Sequence, residues 1–355
     1  MKLITAWFSR NFSDPQVVIL GLALVILFAI VLLLGRMLAP VLAAIVIAYL
    51  LEGLVRVLVA RGLPRLMAVL IVFIVFLCFV AAVLFGLLPL VSKQTTQLVQ
   101  QIPAILGKGH EALLRLPELY PEILSVEQID EFIGGIGSEL TTWGQTAVSI
   151  SMSSVIGLIT ILVYLILLPL LVFFFLKDKI TIIQWLRKFF PKEDELVVRV
   201  WRDVDRQIGN YVRGKFWEII IVWLVSYLTF LILGLQYAMV LSVCLGISVL
   251  VPFVGVAVIT IPVVLVAWFQ WGWSADFAYL VGAYIVIKEL DANLLVPLLF
   301  SEVNNLHPVA IIVAVLLFGG LWGVLGLFFA IPLANLVQAV VNAWPRLEQP
   351  KPSLE

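Results

Sequence analysis

Between Ile219 and Ala275 the chain runs for 57 residues without one Asp, Glu, Lys or Arg. A bilayer core about 30 Å thick takes up roughly 20 apolar helical residues per crossing. The run is too long for two plain crossings and barely long enough for three, so at least one helix in it is expected to be broken or re-entrant. Pro252 and Gly255, in Leu-Val-Pro-Phe-Val-Gly, mark the expected break, because proline removes a backbone donor and glycine adds backbone freedom. Composition points the same way: 63% of the 355 residues are apolar, 12% are charged and mean hydropathy is +1.16. A soluble chain so composed could not cover its surface with polar groups. A disordered chain is excluded as well, and the zero net charge argues against a nucleic-acid partner, which would need a basic excess. The fold class is an all-α polytopic membrane protein, with the lipid bilayer as its first partner.

Four earlier segments read as crossings: Val17–Leu34, Leu38–Leu58, Leu66–Val91 and Met152–Leu176. After the long uncharged run come Phe277–Phe300, interrupted by polar residues, and Val309–Trp344. The last would be about 54 Å long as one straight helix. It must tilt, bend or fold back, and Gly319, Gly320, Gly323 and Gly326 mark where. The expectation is about eight transmembrane helices with broken or re-entrant segments, and amphipathic helices outside the bilayer. Cys78 and Cys244 sit in apolar runs with no CxxC spacing and read as buried small hydrophobes.

Charge distribution sets the orientation. Residues 93–150 hold three Lys/Arg and seven Asp/Glu, whereas 177–215 hold ten Lys/Arg and six Asp/Glu. The positive-inside rule places 52–65 and 177–215 in the cytoplasm and 93–150 outside, with both termini inside if there are eight spans. The chain then divides into a three-span region (1–92), an extracytoplasmic connection (93–150), a fourth span (151–176), basic cytoplasmic helices (177–215), a transport region with broken helices (216–345) and a cytoplasmic tail (346–355). Residues 126–147 and 196–212 each repeat apolar residues every three or four positions, the pattern of an amphipathic helix. Trp185, Trp201 and Trp217 suggest that the inner helix lies near the headgroups.

Enzyme signatures are missing. Two histidines, His110 and His307, rule out HExxH and His-rich metal sites, and neither a GxxxxGK[ST] loop nor a GxSxG elbow occurs. No cofactor is expected. Polar residues within apolar stretches are the better guide, since each is costly at bilayer depth. Lys288, Glu289, Asp291 and Asn293 fall in the middle of the seventh span, with Glu302 and His307 farther on. Lys288 and Asp291, three apart, share a helix face and can pair. One reading makes 288–293 the polar turn of a broken helix lining a substrate or ion path. The other makes it a short cytoplasmic turn capped by that ion pair. Prolines at apolar positions, among them Pro262, Pro297 and Pro332, read with Pro252, Gly255 and Gly323 as kinks or hinges.

From Gln207 onward an ordered set of motifs appears. Gln-Ile-Gly-Asn-Tyr-Val-Arg-Gly (207–214) is followed by Gly-Leu-Gln-Tyr (234–237), Leu-Val-Pro-Phe-Val-Gly (250–255) and Ile-Pro (261–262). Asn-Leu-Leu-Val-Pro (293–297), Leu-His-Pro (306–308), the glycine-rich 319–326 and Ala-Ile-Pro (330–332) complete it. The set resembles the autoinducer-2 exporter family of membrane transporters, most closely its PerM-type permeases, over about residues 15–345. The resemblance implies a multi-span inner-membrane transporter in bacteria, without ATPase machinery and assembled as a homo-oligomer, a pentamer being the number expected. Some relatives are associated with export of autoinducer-2 and others with sodium–proton antiport. The family's motif positions carry over to Tyr211, Arg213 and Gly214, to Pro252 and Gly255, to Asn293 and Pro297, and to Leu306–Pro308. The chain departs from the pattern at Ser301-Glu302, Ala292 and Lys215, and an acidic Glu302 fits a cation or proton role at least as well as autoinducer-2. The function expected is a secondary transporter of a small polar solute. The alternatives are a sodium–proton antiporter and a non-transporting oligomeric scaffold.

Overall fold

The computed structural model describes residues 15–114, 127, 130, 131, 134, 135, 138, 155–188, 195–252, 254–300 and 306–343. Among these residues every regular element is helical. In chain order they are α1 (Pro15–Ala60), α2 (Arg65–Ala82), a π turn (Val83–Leu87), α3 (Leu88–Leu113), α4 (Val155–Lys177), α5 (Lys179–Arg187) and α6 (Glu195–Ile232). There follow α7 (Ala238–Ser248), α8 (Val254–Trp271), α9 (Ala275–Leu290), a second π turn (Asp291–Leu295), α10 (Val296–Phe300), α11 (Pro308–Trp322) and α12 (Val324–Ala343). Two compact units contain them: one of residues 1–69, 167–213 and 300–355, the other of 70–166 and 214–299.

In the first unit, α1 runs unbroken for 46 residues. The sequence suggested separate crossings at Val17–Leu34 and Leu38–Leu58. Gly-Arg-Met at 35–37 interrupts the apolar run but removes no backbone donor, and Pro40 deprives only the Arg36 carbonyl of a partner. The helix ends where Gly62 takes φ +94°. The Gly62 amide then donates to the Val59 carbonyl at 2.9 Å and the Leu63 amide to the Leu58 carbonyl at 3.3 Å, the paired bonds of a Schellman cap. Toward the C-terminus, α11 and α12 pack as an antiparallel hairpin about Gly323, whose φ of +60° and ψ of −134° suit glycine. A Cβ on Gly326 would overlap the Phe318 carbonyl, and one on Gly319 would press on Leu327. The run Val309–Trp344 therefore folds back at Gly323. Pro332 lies inside α12 and does not interrupt it.

The second unit is built around α7, packed on α3 and α8, with α9 against α8. Its core is apolar: Phe230, Leu241, Leu245, Val263, Ala267, Leu280 and Tyr284 are buried. The long uncharged run resolves as the end of α6, the 11-residue α7 and the 18-residue α8. At 1.5 Å per residue α7 spans about 16 Å, too short to cross a bilayer. The expected interruption therefore lies between Ser248 and Val254, around Pro252. Pro262 is not a second one, since α8 continues through it. The segment 288–293 is helical throughout, spanning the end of α9 and the first three residues of the second π turn, and Pro297 sits inside α10.

Four described helices are long and apolar enough to cross a membrane: Met37–Ala60, Arg65–Glu111, Asp205–Ile232 and Val254–Trp271. Shorter apolar helices lie at Tyr164–Lys177, Ala238–Ser248, Pro308–Trp322 and Gly326–Gln338. Phe85 and Ile232 are more than four-fifths exposed, and such an exterior is what lipid rather than water accommodates. Most of the amphipathic pattern at 126–147 lies outside the described residues. The pattern at 196–212 forms the first part of α6, which runs on as one 38-residue helix into apolar sequence.

Candidate functional site

A helix of eleven residues leaves unpaired amides at its start and unpaired carbonyls at its end, and in an apolar setting protein groups must satisfy them. In α7 side chains from other helices reach both ends. At the N-terminus the Gln94 Oε1 of α3 accepts from the Val240 amide at 3.0 Å. At the C-terminus the Lys215 ammonium of α6 donates to the Val249 carbonyl at 2.8 Å, and a cation there complements the helix dipole. The loop before α7 is braced too. Gln270 Nε2 donates to the Gly234 carbonyl at 2.8 Å, and its Oε1 accepts from the Gln236 amide at 2.8 Å.

Lys215 is also half of a buried ion pair. Its Nζ stands 2.7 Å from Glu218 Oε2, three residues on, and the two residues are 6% and 2% exposed. Removing each ion from water costs several kcal/mol, recovered only by close geometry and further hydrogen bonds. Close packing sets the arrangement. Gly246 lies against Trp223 and the Ile219 carbonyl, so that α6 and α7 approach where a Cβ would not fit. Gly255, at the start of α8, lies so near the Ser248 carbonyl that a Cβ would overlap it.

Asp291 completes the group. It opens the second π turn and lies within electrostatic reach of Lys215, Glu218 and Lys288. Its Oδ1 is closed off from water, with no hydrogen-bond partner among the described residues. The site thus gathers two cations and two carboxylates at the end of a short helix and beside a widened helical turn, a place where π turns often accompany function.

Several sequence expectations are placed differently. Among the described residues Lys288 and Asp291 form no ion pair; instead Asn293 Nδ2 donates to Glu289 Oε2 at 2.8 Å and to the Glu289 carbonyl at 3.1 Å. His307 caps α11, its Nδ1 accepting from the Val309 amide at 3.3 Å. Glu302 lies outside the described residues. Both cysteines are exposed rather than buried. Tyr211 belongs to the first unit, where it is 1% exposed and packs against Phe300 and Phe328 with ring centres 5.8 and 6.2 Å away. Arg213 donates to Asn210 Oδ1 at 2.9 Å and covers the Tyr49 ring at 5.8 Å. Tyr49 in turn donates to the Asp205 carbonyl at 2.9 Å, and Gly209 leaves room for its ring. This motif is therefore a packing joint between α1, α6, α10 and α12, and Gly214 adjoins it on α6. The Glu218 partner was missed by sequence reasoning because it stands at the very edge of the uncharged run. A lysine three residues before a glutamate at that edge was the available signal.

The helical architecture, with several helices long and apolar enough to cross a bilayer, defines a polytopic membrane protein with buried charges among its helices. Among the described residues no three His, Cys, Asp or Glu side chains are grouped to hold a metal. Comparison with known proteins gives the particular lineage. Residues 20–346 match the model of the AI-2E family transporters, and the chain belongs to that family. It is 44% identical over 345 residues to a protein of Escherichia coli (strain K12) that bears the name permease PerM, covering 97% of this chain and 98% of that one. It is 25% identical to the transport protein YueF of Bacillus subtilis (strain 168), over 84% of this chain and 82% of the other. A transport protein of Mycobacterium tuberculosis, MT0215, is 29% identical over 86% and 83%.

Proposed function

We propose that this protein is a secondary transporter of a small polar solute, which it moves by rearrangement around the α7–α8 break. The observation that carries this reading is the buried Lys215–Glu218 pair held at the C-terminal carbonyl of α7. Ion pairs are rarely retained in apolar surroundings for stability alone, since apolar residues of the same volume often do as well. Asp291, with an unpartnered oxygen on the same group, offers an acceptor for a solute donor or cation. Lys288, Glu289 and Asn293 of the same unit supply further polar contacts along the path. The solute is small because the site is a joint between helices; an autoinducer-2-like molecule is one candidate. The protein resides in the bacterial cytoplasmic membrane with both termini inside, as a homo-oligomer.

Proteoliposomes carrying Asp291→Asn or Glu218→Gln test this reading against a panel of labelled solutes, with and without proton and sodium gradients. Loss of flux in both variants, at unchanged protein incorporation, is the expected result. Parental flux in both removes the site. The sodium–proton antiporter and the scaffold are not favoured by a separate observation, and the gradient arms of the panel separate them.

A further inference from the structure

In the first unit a single carboxylate is oversubscribed. Glu52 of α1 is 6% exposed and receives Arg56 at 3.8 Å, Arg65 at 3.3 Å and Lys179 at 3.3 Å. These cations come from α1 itself, from the start of α2 and from the start of α5. Arg65 also donates to the Leu176 carbonyl at 3.1 Å, at the end of α4, so the cluster fastens together the ends of four helices. Lys177 adds a fourth cation and is partly offset by Asp178 at 3.9 Å. Four cations against two carboxylates leave a surplus of two positive charges. One carboxylate cannot neutralise three cations, and their mutual repulsion calls for a further anion.

The surroundings say what kind of anion fits. Arg56 and Lys177 keep 63% and 42% of their side chains exposed, so an anion can reach them. Exposed apolar side chains share the helices of the cluster's cations: Leu66 follows Arg65 on α2, Phe174 lies on α4 with Lys177, and Ile180 and Trp185 lie on α5 with Lys179. Lys177 lies over the Phe174 ring at 5.9 Å. A soluble phosphate would gain nothing from that apolar rim, whereas a phospholipid would lay its acyl chains on it. Cations with an adjoining amphipathic helix of exposed isoleucine and tryptophan are the chemistry of an anionic membrane surface.

We infer that the Glu52 cluster is a binding site for the phosphate of an anionic phospholipid, with Glu52 competing against that phosphate for the same cations. Binding tightens the junction of α1, α2, α4 and α5.

The test uses the purified full-length protein in neutral detergent, titrated with dioleoyl phosphatidylglycerol while Tm is followed. The controls are dioleoyl phosphatidylcholine and inorganic phosphate. Phosphatidylglycerol raises Tm saturably and the controls do not. Arg56→Gln and Lys179→Gln each raise the half-saturating concentration roughly fivefold, the worth of one basic residue at an anionic surface. Glu52→Gln lowers it, because the competitor is gone; a purely structural carboxylate would not tighten lipid binding when removed. Lys93→Gln, an exposed lysine of the other unit, leaves it unchanged. An equal shift with phosphatidylcholine or inorganic phosphate overturns the inference, as does an equal loss in Lys93→Gln. Should Glu52→Gln not fold, the unchanged response of Arg56→Gln would be enough to refute it.

Discussion

Lys215 and Glu218 have to be considered as a pair, because removing one charge strands the other. Glu218→Leu leaves a buried ammonium without its partner and lowers stability by about 3–5 kcal/mol. Lys215→Met combined with Glu218→Leu recovers most of that loss, as shown by denaturant unfolding in detergent, while solute flux stays abolished. Retained flux in the double variant would separate the pair from transport. The glycines make a second contrast. Gly255→Ala pushes a methyl group into the Ser248 carbonyl and costs about 1–3 kcal/mol. Gly282→Ala, where nothing lies within 4 Å inside α9, stabilises by about 0.5–1 kcal/mol. Thermal unfolding of the two variants shows opposite shifts. Gly255 and Pro252 were legible in the sequence because a break needs residues that allow it. The Glu218 partnership was not, since one charge beside an apolar run looks like the end of a helix, and only folding brings the Val249 carbonyl and Asp291 to it.

Among the elements, α7 depends on borrowed hydrogen bonds. Gln94→Leu leaves the Val240 amide without its acceptor and costs about 1–3 kcal/mol. In that variant hydrogen exchange is expected to open residues 238–242 faster than 263–267. That the uncharged run is interrupted followed from counting its 57 residues; that the piece before the interruption is a helix of only eleven residues did not. Nor did its dependence on Gln94 and Lys215, because both partners are distant in sequence. Two of the prolines expected as kinks or hinges end no helix. Pro262 and Pro332 lie within uninterrupted helices, since apolar helices absorb a lost bond where neighbouring groups adjust. The Gly323 reversal was legible because a 36-residue run without charge cannot cross a bilayer as one straight helix.

For the whole molecule, the Glu52 cluster makes a statement about topology. Because α1, α2 and α5 bring cations to one carboxylate, residues 52–65 and 177–188 lie at the same membrane face. With Cys78 and Cys244 replaced by alanine, Arg61→Cys and Lys188→Cys should react with an impermeant maleimide from one side only, and from the same side. If that side is the cytoplasm, as the proposed orientation has it, everted vesicles label and intact spheroplasts do not. Labelling from opposite faces would contradict both the cluster and the orientation.

The two π turns, Val83–Leu87 and Asp291–Leu295, each end two residues before a proline, Pro89 and Pro297. A π turn holds one residue more than an α-helical turn, so everything after it is rotated by about 100° without a break in the backbone. Each π turn thereby changes the facing of the helix that follows it. Deleting one residue from either turn would swing the downstream stripe of side chains by that angle, and a substitution that merely removed the proline would not.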